Sequence, residues 1–327
     1  MKGGIDLGGT KVQAVVVGPR GKVVGDAKLP TPQEGGPPAV VGQIVEALRE
    51  AADMAGVDPS ELVGTGIGSP GAVDAEAGTV SEARNLPDWE EAFPLAAAVS
   101  ERLGCPVALG NDVQVAVDGE YALGAARRSR SLLGVWWGTG VGGGIVLNGK
   151  PWIGRGAAAE IGHVVVKMGG ARCTCGRRGC MEAYAGRGAM EIEARRQVKK
   201  GRHTELFEIM EKRGRTRLQS GVWARALERD DSMAVRLIER AVEALGAGVA
   251  SVVNVLDVET VVIGGGLGSR LGEPYVERIR AAMMPHLFVS ERPPKVRPAA
   301  LGDLGGAIGA SLLIKGRRAR RSSSATA

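Results

Sequence analysis

The stretch "EIGHVVVKMGGARCTCGRRGCMEAY", residues 160–184, gathers His163, Cys173, Cys175 and Cys180 in a chain of 327 residues with only three His and four Cys. One imidazole nitrogen and three thiolates make the donor set of a closed, tetrahedral, structural Zn²⁺ site, in which the metal keeps no open position for chemistry. The glycines of "CTCGRRGC" permit the turns on which three sulfurs converge, and Arg177 and Arg178 offset the thiolate charge. The spacing C-x-C-x₄-C departs from paired C-x-x-C knuckles, so free thiols or a disulfide stay open beside zinc. Cys105, alone in an apolar strand, reads as a small buried hydrophobe. Glu160 and Glu182 stand at the two ends of the clamp. A loop held by metal would aim them at a polyol; both also fit as ordinary surface glutamates.

Two glycine-rich stretches carry a second kind of chemistry. "DLGGTK" (6–11) and "WGTGVGGG" (137–144) read as tight hairpin turns whose glycines bring backbone N–H groups close to an anion, with Thr10 and Thr139 adding hydroxyl donors. Taken singly, each could be a plain hairpin; two at matching places point to a phosphate chain. "VVIGGGLG" (261–268) adds a third glycine turn, suited to a flat base or ribose packed on backbone. Neither G-x-x-x-x-G-K-[ST] nor a Rossmann fingerprint in its proper context is present. Asp6 precedes the first turn, where a carboxylate would repel phosphate unless Mg²⁺, held through water, lies between them; the alternative is a turn-stabilising side chain. Asp112 sits at a strand end and a helix start. There it can take the proton of an attacking hydroxyl in phosphoryl transfer, or simply cap the helix.

These groups need a scaffold, and the chain supplies one twice. "GGIDLGGTKVQAVVVGPRGKVVG" (3–25) reads as strand, glycine turn, strand and a further turn into a third strand; "LGVWWGTGVGGGIVLNGKPWIG" (133–154) reads the same way. Shifting the first by 130 residues lays Gly8 on Gly138 and Ala14–Val17 on Gly144–Leu147, which suggests two related domains. Helical spacing over 38–56 and 94–104 alternates with the strands 62–71 and 106–112, an α/β pattern with partly parallel sheets. The region 188–256 is mostly helical, and a strand and helix close the sequence.

Hydrophobic residues at 44% and charged residues at 24% are ordinary for a globular protein, and no apolar run reaches the roughly 20 residues of a membrane span. The N-terminal residues lack the apolar core of a signal peptide, so a cytoplasmic location is expected. Of the 42 Lys and Arg behind the net charge of +6, five lie in "KGRRARR" (315–321), which with "SSSATA" reads as a disordered, solvated tail over 316–327. Aromatics at 3% are too few for base-stacking platforms, and the basic tail alone would give only salt-sensitive, non-specific DNA affinity.

"GGIDLGGTK", "GIGSPGAVD", "ND", "GTGVGGGIVLNGK", "EIGH" and "CTCGRRGCMEAY" follow one another as in the ROK family of repressors, open reading frames and sugar kinases. The chain resembles that family closely from about residue 3 to 186 and more loosely to about 314. The resemblance implies an actin-like ATPase fold, ribonuclease H-like and hexokinase-type, with two related domains flanking a cleft. The expected division is 1–113 with 302–315, against 114–301 carrying the zinc loop. It further implies Asp112 as catalytic base, sugar contacts at Asn85, Asn111, Asp112, Glu160, His163 and Glu182, and Gly71 lining the pocket. Phosphate contacts fall on Gly8, Gly9, Thr10, Lys11, Thr139 and Gly140, with Asp6 beside them, and adenosine near Gly264, Gly265 and Gly266. His163 is asked both to ligate zinc and to touch sugar, which one ring nitrogen for each would allow. "NDVQ" and Gly186 depart from the usual pattern and bear on sugar preference.

The activity implied is ATP-dependent phosphorylation of a hexose, with glucose the leading acceptor; fructose, mannose or N-acetylglucosamine, and polyphosphate as donor, are the alternatives. Family repressors carry a winged helix before the first hairpin, which here begins at residue 3, so a DNA-binding role is not expected. The presence of both Asp6 and Asp112 counts against a silent sugar sensor. Family habit implies a homodimer or homotetramer.

Overall fold

A computed structural model describes residues 1–315; the basic tail at 316–327 lies outside the described residues. The chain divides into two compact units, Met1–Ala116 rejoined by the chain from Leu304, and Val117–Asp303.

In the first unit, β1 (Lys2–Leu7), β2 (Lys11–Val17) and β3 (Val23–Pro30) form an antiparallel meander. After α1 (Gly36–Ala55), β4 (Thr65–Ser69) joins β1 in parallel. A short hairpin, β5 (Ala72–Asp74) with β6 (Thr79–Ser81), follows; its three-residue strands are too short for periodicity to reveal. Then come α2 (Leu95–Leu103) and β7 (Val107–Asn111), which pairs in parallel with β4. The sheet order is β3-β2-β1-β4-β7. Helix α1 buries Val40, Val41, Ile44, Val45, Leu48 and Ala52, a stripe at helical spacing that covers one sheet face. It stops at Gly56, whose positive φ of 68° lets its N–H turn back to the carbonyl of Ala52.

Helix α3 (Asp112–Ala122) carries the chain into the second unit, and the division between units runs through it. There β8 (Leu132–Trp137), β9 (Val141–Leu147) and β10 (Lys150–Pro151) make a second antiparallel meander. The helices α4 (Glu182–Ala185), α5 (Arg187–Lys199), α6 (Leu206–Lys212), α7 (Ser220–Leu227) and α8 (Ser232–Leu256) fill the region read as helical. Strand β11 (Thr260–Gly264), α9 (Gly265–Leu271), α10 (Glu273–Met283) and β12 (Lys295–Pro298) complete the unit. The order β10-β9-β8-β11-β12 and its pairing senses repeat those of the first sheet, so the expected duplication is present in topology.

The repeat has one slip. Leu7 pairs with Val12 in the first meander and Trp137 with Val141 in the second, so the second turn is one residue shorter. The offset of 130 therefore holds up to the turn and becomes 129 beyond it: Ala14, partner of Ile5, matches Gly143, partner of Val135, rather than Gly144.

The closing helix, α11 (Gly305–Ser311), returns to the first unit and lies directly on β1 and β4. A Cβ on Gly4 would stand 2.0 Å from the Ala307 carbonyl oxygen, and one on Gly66 only 1.8 Å from that of Ala310. Hydrogen side chains at these strand positions are what permit the approach. Among the described residues no helix is long and apolar enough to cross a membrane.

Candidate functional site

In the first unit the turn between β1 and β2 is shaped by where its carbonyls go. Gly8 N–H donates to the Lys11 carbonyl at 3.0 Å and closes the turn. The carbonyl of Gly8 accepts from the Thr31 hydroxyl at 2.6 Å, that of Gly9 from the Gln33 amide at 3.2 Å, and that of Thr10 from the Thr31 N–H at 3.3 Å. All three carbonyls are tied back, while no hydrogen bond among the described residues engages the N–H of Gly9 or Thr10. That polarity suits an anion. Asn85 packs on the same turn, its carbonyl oxygen 2.6 Å from where a Cβ on Gly9 would be. Asp6, half-buried at the end of β1, lies against α11, since a Cβ on Gly306 would stand 2.7 Å from its carboxyl carbon.

The strand β7 ends at Asn111 and α3 begins at Asp112. Asn111 does the capping: its side-chain oxygen accepts from the N–H groups of Val113 and Gln114, both at 3.1 Å. Asp112 accepts from Val113 N–H at 2.9 Å through one carboxylate oxygen. With its helix start capped by a neighbour, Asp112 is half-buried at the sheet end where parallel α/β folds place reacting groups. Gly71, with φ of 91°, follows β4, close against the Ser81 carbonyl.

The second unit repeats the turn with different partners. Gly138 N–H closes it on the Gly140 carbonyl at 3.0 Å. Here the first amides of α5 do the tying back: Arg187 N–H donates to the Gly138 carbonyl at 3.1 Å and Gly188 N–H to that of Thr139 at 2.9 Å. The N–H groups of Thr139 and Gly140 engage no acceptor among the described residues. The third glycine run is not a hairpin turn. Gly264 ends β11 and Gly265 starts α9, with φ of 81° and its virtual Cβ 2.7 Å from the backbone N and O of Trp137. Gly266 N lies 3.8 Å from the virtual Cβ of Gly138, so both glycine segments of this unit meet at one place.

The cysteine loop follows. The Sγ atoms of Cys175 and Cys180 are 3.7 Å apart, and Cys173 Sγ is 3.7 Å from His163 Nδ1. All four donor atoms lie within 4.8 Å of one another. A tetrahedron with Zn–S of ~2.3 Å and Zn–N of ~2.0 Å has edges of about 3.8 and 3.5 Å, close to the two 3.7 Å separations, so the donor set fits zinc in chemistry and, for these pairs, in spacing. The four cysteines are free thiols, not disulfides. Burial pushes the Cys180 thiol up to about 12, while the backbone N–H of Arg177 holds Cys175 down to about 6. One sulfur is thus readily anionic and another holds its proton until a cation displaces it. The other ring nitrogen of His163, Nε2, faces Glu160 at 3.9 Å.

Glu182 holds a place that spacing did not reveal. One carboxylate oxygen accepts from Val141 N–H at 2.9 Å, just past the glycine turn; the other accepts from the Thr174 hydroxyl at 3.1 Å, with Cys173 Sγ at 3.7 Å. It ties the cysteine loop to the glycine turn. Arg187 was also missed. Its guanidinium donates to the hydroxyls of Thr139 and Ser220, each at 2.8 Å, across sequence separations that no local pattern encodes.

With this geometry in place, the comparisons with known proteins are specific. The ROK family matches residues 2–317. A glucokinase of Thermotoga maritima is 35% identical over 322 residues, covering 96% of this chain and 97% of the relative. Among solved structures, a ROK hexokinase from Thermus thermophilus superposes with a TM-score of 0.78 at 35% identity, covering 96% of this chain and 97% of that one. A ROK family glucokinase from Streptomyces griseus, solved with glucose and AMPPNP, gives 0.79 at 32% identity, covering 95% and 98%. The actin-like ATPase fold expected from the sequence is the fold of this chain, which belongs to the ROK family.

Proposed function

We propose that this protein is an ATP-dependent glucokinase that transfers the γ-phosphoryl group to the 6-hydroxyl of glucose. The observation that carries the reading is the matched pair of turns whose carbonyls are tied back and whose amides at Gly9, Thr10, Thr139 and Gly140 are left for an anion. Support comes from relatives of known activity: the glucokinase of Thermotoga maritima, and the Streptomyces griseus structure with glucose and a nucleotide analogue.

Asp112 accepts the proton of the sugar hydroxyl as that oxygen attacks phosphorus. Phosphoryl transfer asks little covalent chemistry of a protein, so the other residues position groups and offset charge. The two turns, with the Thr10 and Thr139 hydroxyls and Lys11, hold phosphate oxygens; Gly264, Gly265 and Gly266 offer backbone to the adenosine. Asn85, Asn111, Glu160, His163 and Glu182 orient the sugar, with Gly71 lining its pocket. Mg²⁺, held through water by Asp6, would supply neutralisation of the phosphate charge. Zn²⁺ on His163, Cys173, Cys175 and Cys180 would be structural, fixing His163 and Glu182 on either side of its loop. The protein works in the cytoplasm as a homo-oligomer.

A panel of hexoses offered with Mg-ATP, reading ADP formation, tests the proposal. Turnover on glucose with kcat/KM well above that for fructose, mannose and N-acetylglucosamine is expected; turnover on another sugar alone would move the assignment within the sugar kinases. ADP formation with none of them, or turnover with polyphosphate alone, would refute it.

A further inference from the structure

The second unit holds a half-buried cation for which the sequence reading has no use. Arg187, the first residue of α5, has no carboxylate within ion-pair distance among the described residues. Glu191, the acid whose charge acts on Arg187, is saturated: Arg195 takes one of its oxygens, and Arg217 and the N–H of Leu218 take the other. Instead, Arg187 donates to two hydroxyls, Thr139 Oγ1 and Ser220 Oγ. A hydroxyl that accepts from a guanidinium must direct its own hydrogen elsewhere, so each becomes a polarised donor. Burial and the like charge of Arg217 push the guanidinium below its ordinary value, and an incoming anion would relieve both.

The surroundings supply the rest of a binding place. Thr139 belongs to the glycine turn with its two unengaged amides, and the virtual Cβ of Gly266 lies 3.5 Å from Ser220 Oγ. The turn, the starts of α5 and α7, and the β11–α9 junction therefore converge within one unit. We propose that Arg187 is the cation of a phosphate subsite: its guanidinium, the hydroxyls of Thr139 and Ser220 and the amides of Thr139 and Gly140 together bind a phosphate group of the nucleotide. This rests on the kinase reading and extends it to a residue that the family resemblance does not assign.

Titration calorimetry of the full chain with ADP and with adenosine tests it, comparing wild type with Arg187→Gln, Arg187→Lys and Ser220→Ala. Arg187→Gln should lose 10- to 100-fold in ADP affinity, about 1.4 to 2.7 kcal/mol, while adenosine binds as before. Unchanged adenosine binding also shows that the variant is folded. Arg187→Lys should recover part of the loss and Ser220→Ala should show a smaller loss of the same selectivity. Equal losses for ADP and adenosine would make Arg187 a structural residue and overturn the inference, as would unchanged ADP affinity in Arg187→Gln. Wild-type turnover of Mg-ATP with glucose is read in parallel: its absence would sink the kinase reading itself, whereas normal turnover with an indifferent Arg187→Gln would sink only the subsite.

Discussion

Replacing Cys173 by Ala asks whether a metal builds the 163–182 loop. The loop's own buried apolar cluster is small, Cys173, Cys180 and Ala183, although backbone hydrogen bonds such as Val166 N–H to the Gly179 carbonyl also brace it. Structural zinc sites in small peptides carry roughly 10–16 kcal/mol at neutral pH. Shared over four donors, one thiolate is worth about 2.5–4 kcal/mol, so Cys173→Ala should weaken zinc binding about 10²- to 10³-fold. The effect should spread, because Cys173 Sγ is 3.7 Å from both His163 Nδ1 and Glu182 Oε1. Glucose affinity is therefore expected to fall about tenfold or more, the worth of one charge-assisted hydrogen bond. Zinc per chain after dialysis at fixed free zinc, with calorimetric glucose titration, reads both effects; Cys105→Ala, in the first unit, should leave zinc content unchanged. Because burial holds the Cys180 thiol at about 12, zinc must displace its proton, so zinc affinity should rise with pH. Wild-type protein that loses its zinc to a chelator yet binds glucose undiminished would refute the reasoning, as would Cys173→Ala with unaltered zinc affinity.

Two further outcomes follow from the packing. Gly265→Ala sets a Cβ 2.7 Å from the Trp137 backbone at a φ of 81°, so the junction must shift from the Gly138 turn; nucleotide KM should rise about tenfold or more. Gly272→Ala, also at positive φ but with nothing within 4 Å, should cost roughly 1 kcal/mol and leave that KM alone; equal effects would contradict the argument. At Glu191, burial alone would raise the carboxyl, but hydrogen bonds from Arg195, Leu218 N–H and Arg217 outweigh it and hold it below its ordinary value. A depressed folded-state pKa adds stability that is complete above the unfolded value of about 4.3 and is lost as pH falls through the folded one. The urea-midpoint gap between wild type and Glu191→Gln should therefore be wide at pH 7 and narrow on acidification; a gap indifferent to pH would count against it.

The legible parts of this protein were those written in local pattern. Glycine-punctuated apolar runs announced both meanders, and the order of the motifs carried the family resemblance. The cysteine cluster was visible because its ligands lie close in the chain. Beyond the first turn the offset between repeats slipped by one residue, since a glycine turn can shorten without leaving a compositional trace. The run at 264–266 read as a turn, though its backbone enters a helix; glycine permits both, and the packing of Gly265 on Trp137 decides. The partners of Glu182 and Arg187 were invisible for another reason. They lie 41 and 48 residues away along the chain, on Val141 and Thr139, and only the folded unit brings them together. Asn111 shows how a neighbour changes a reading: it accepts from the N–H groups of both Val113 and Gln114, so the capping of α3 read onto Asp112, which accepts from Val113 N–H, is shared between the two side chains.

The most direct test is single-turnover and steady-state phosphorylation of glucose by Asp112→Asn beside wild type. An asparagine oxygen can still accept from Val113 N–H, as Asp112 does at 2.9 Å, so the fold and glucose and ADP binding should be kept within a few-fold. Loss of a general base should then lower kcat by about 10²- to 10⁴-fold. Turnover within tenfold of wild type would contradict the account, and so would a loss that traces entirely to glucose no longer binding.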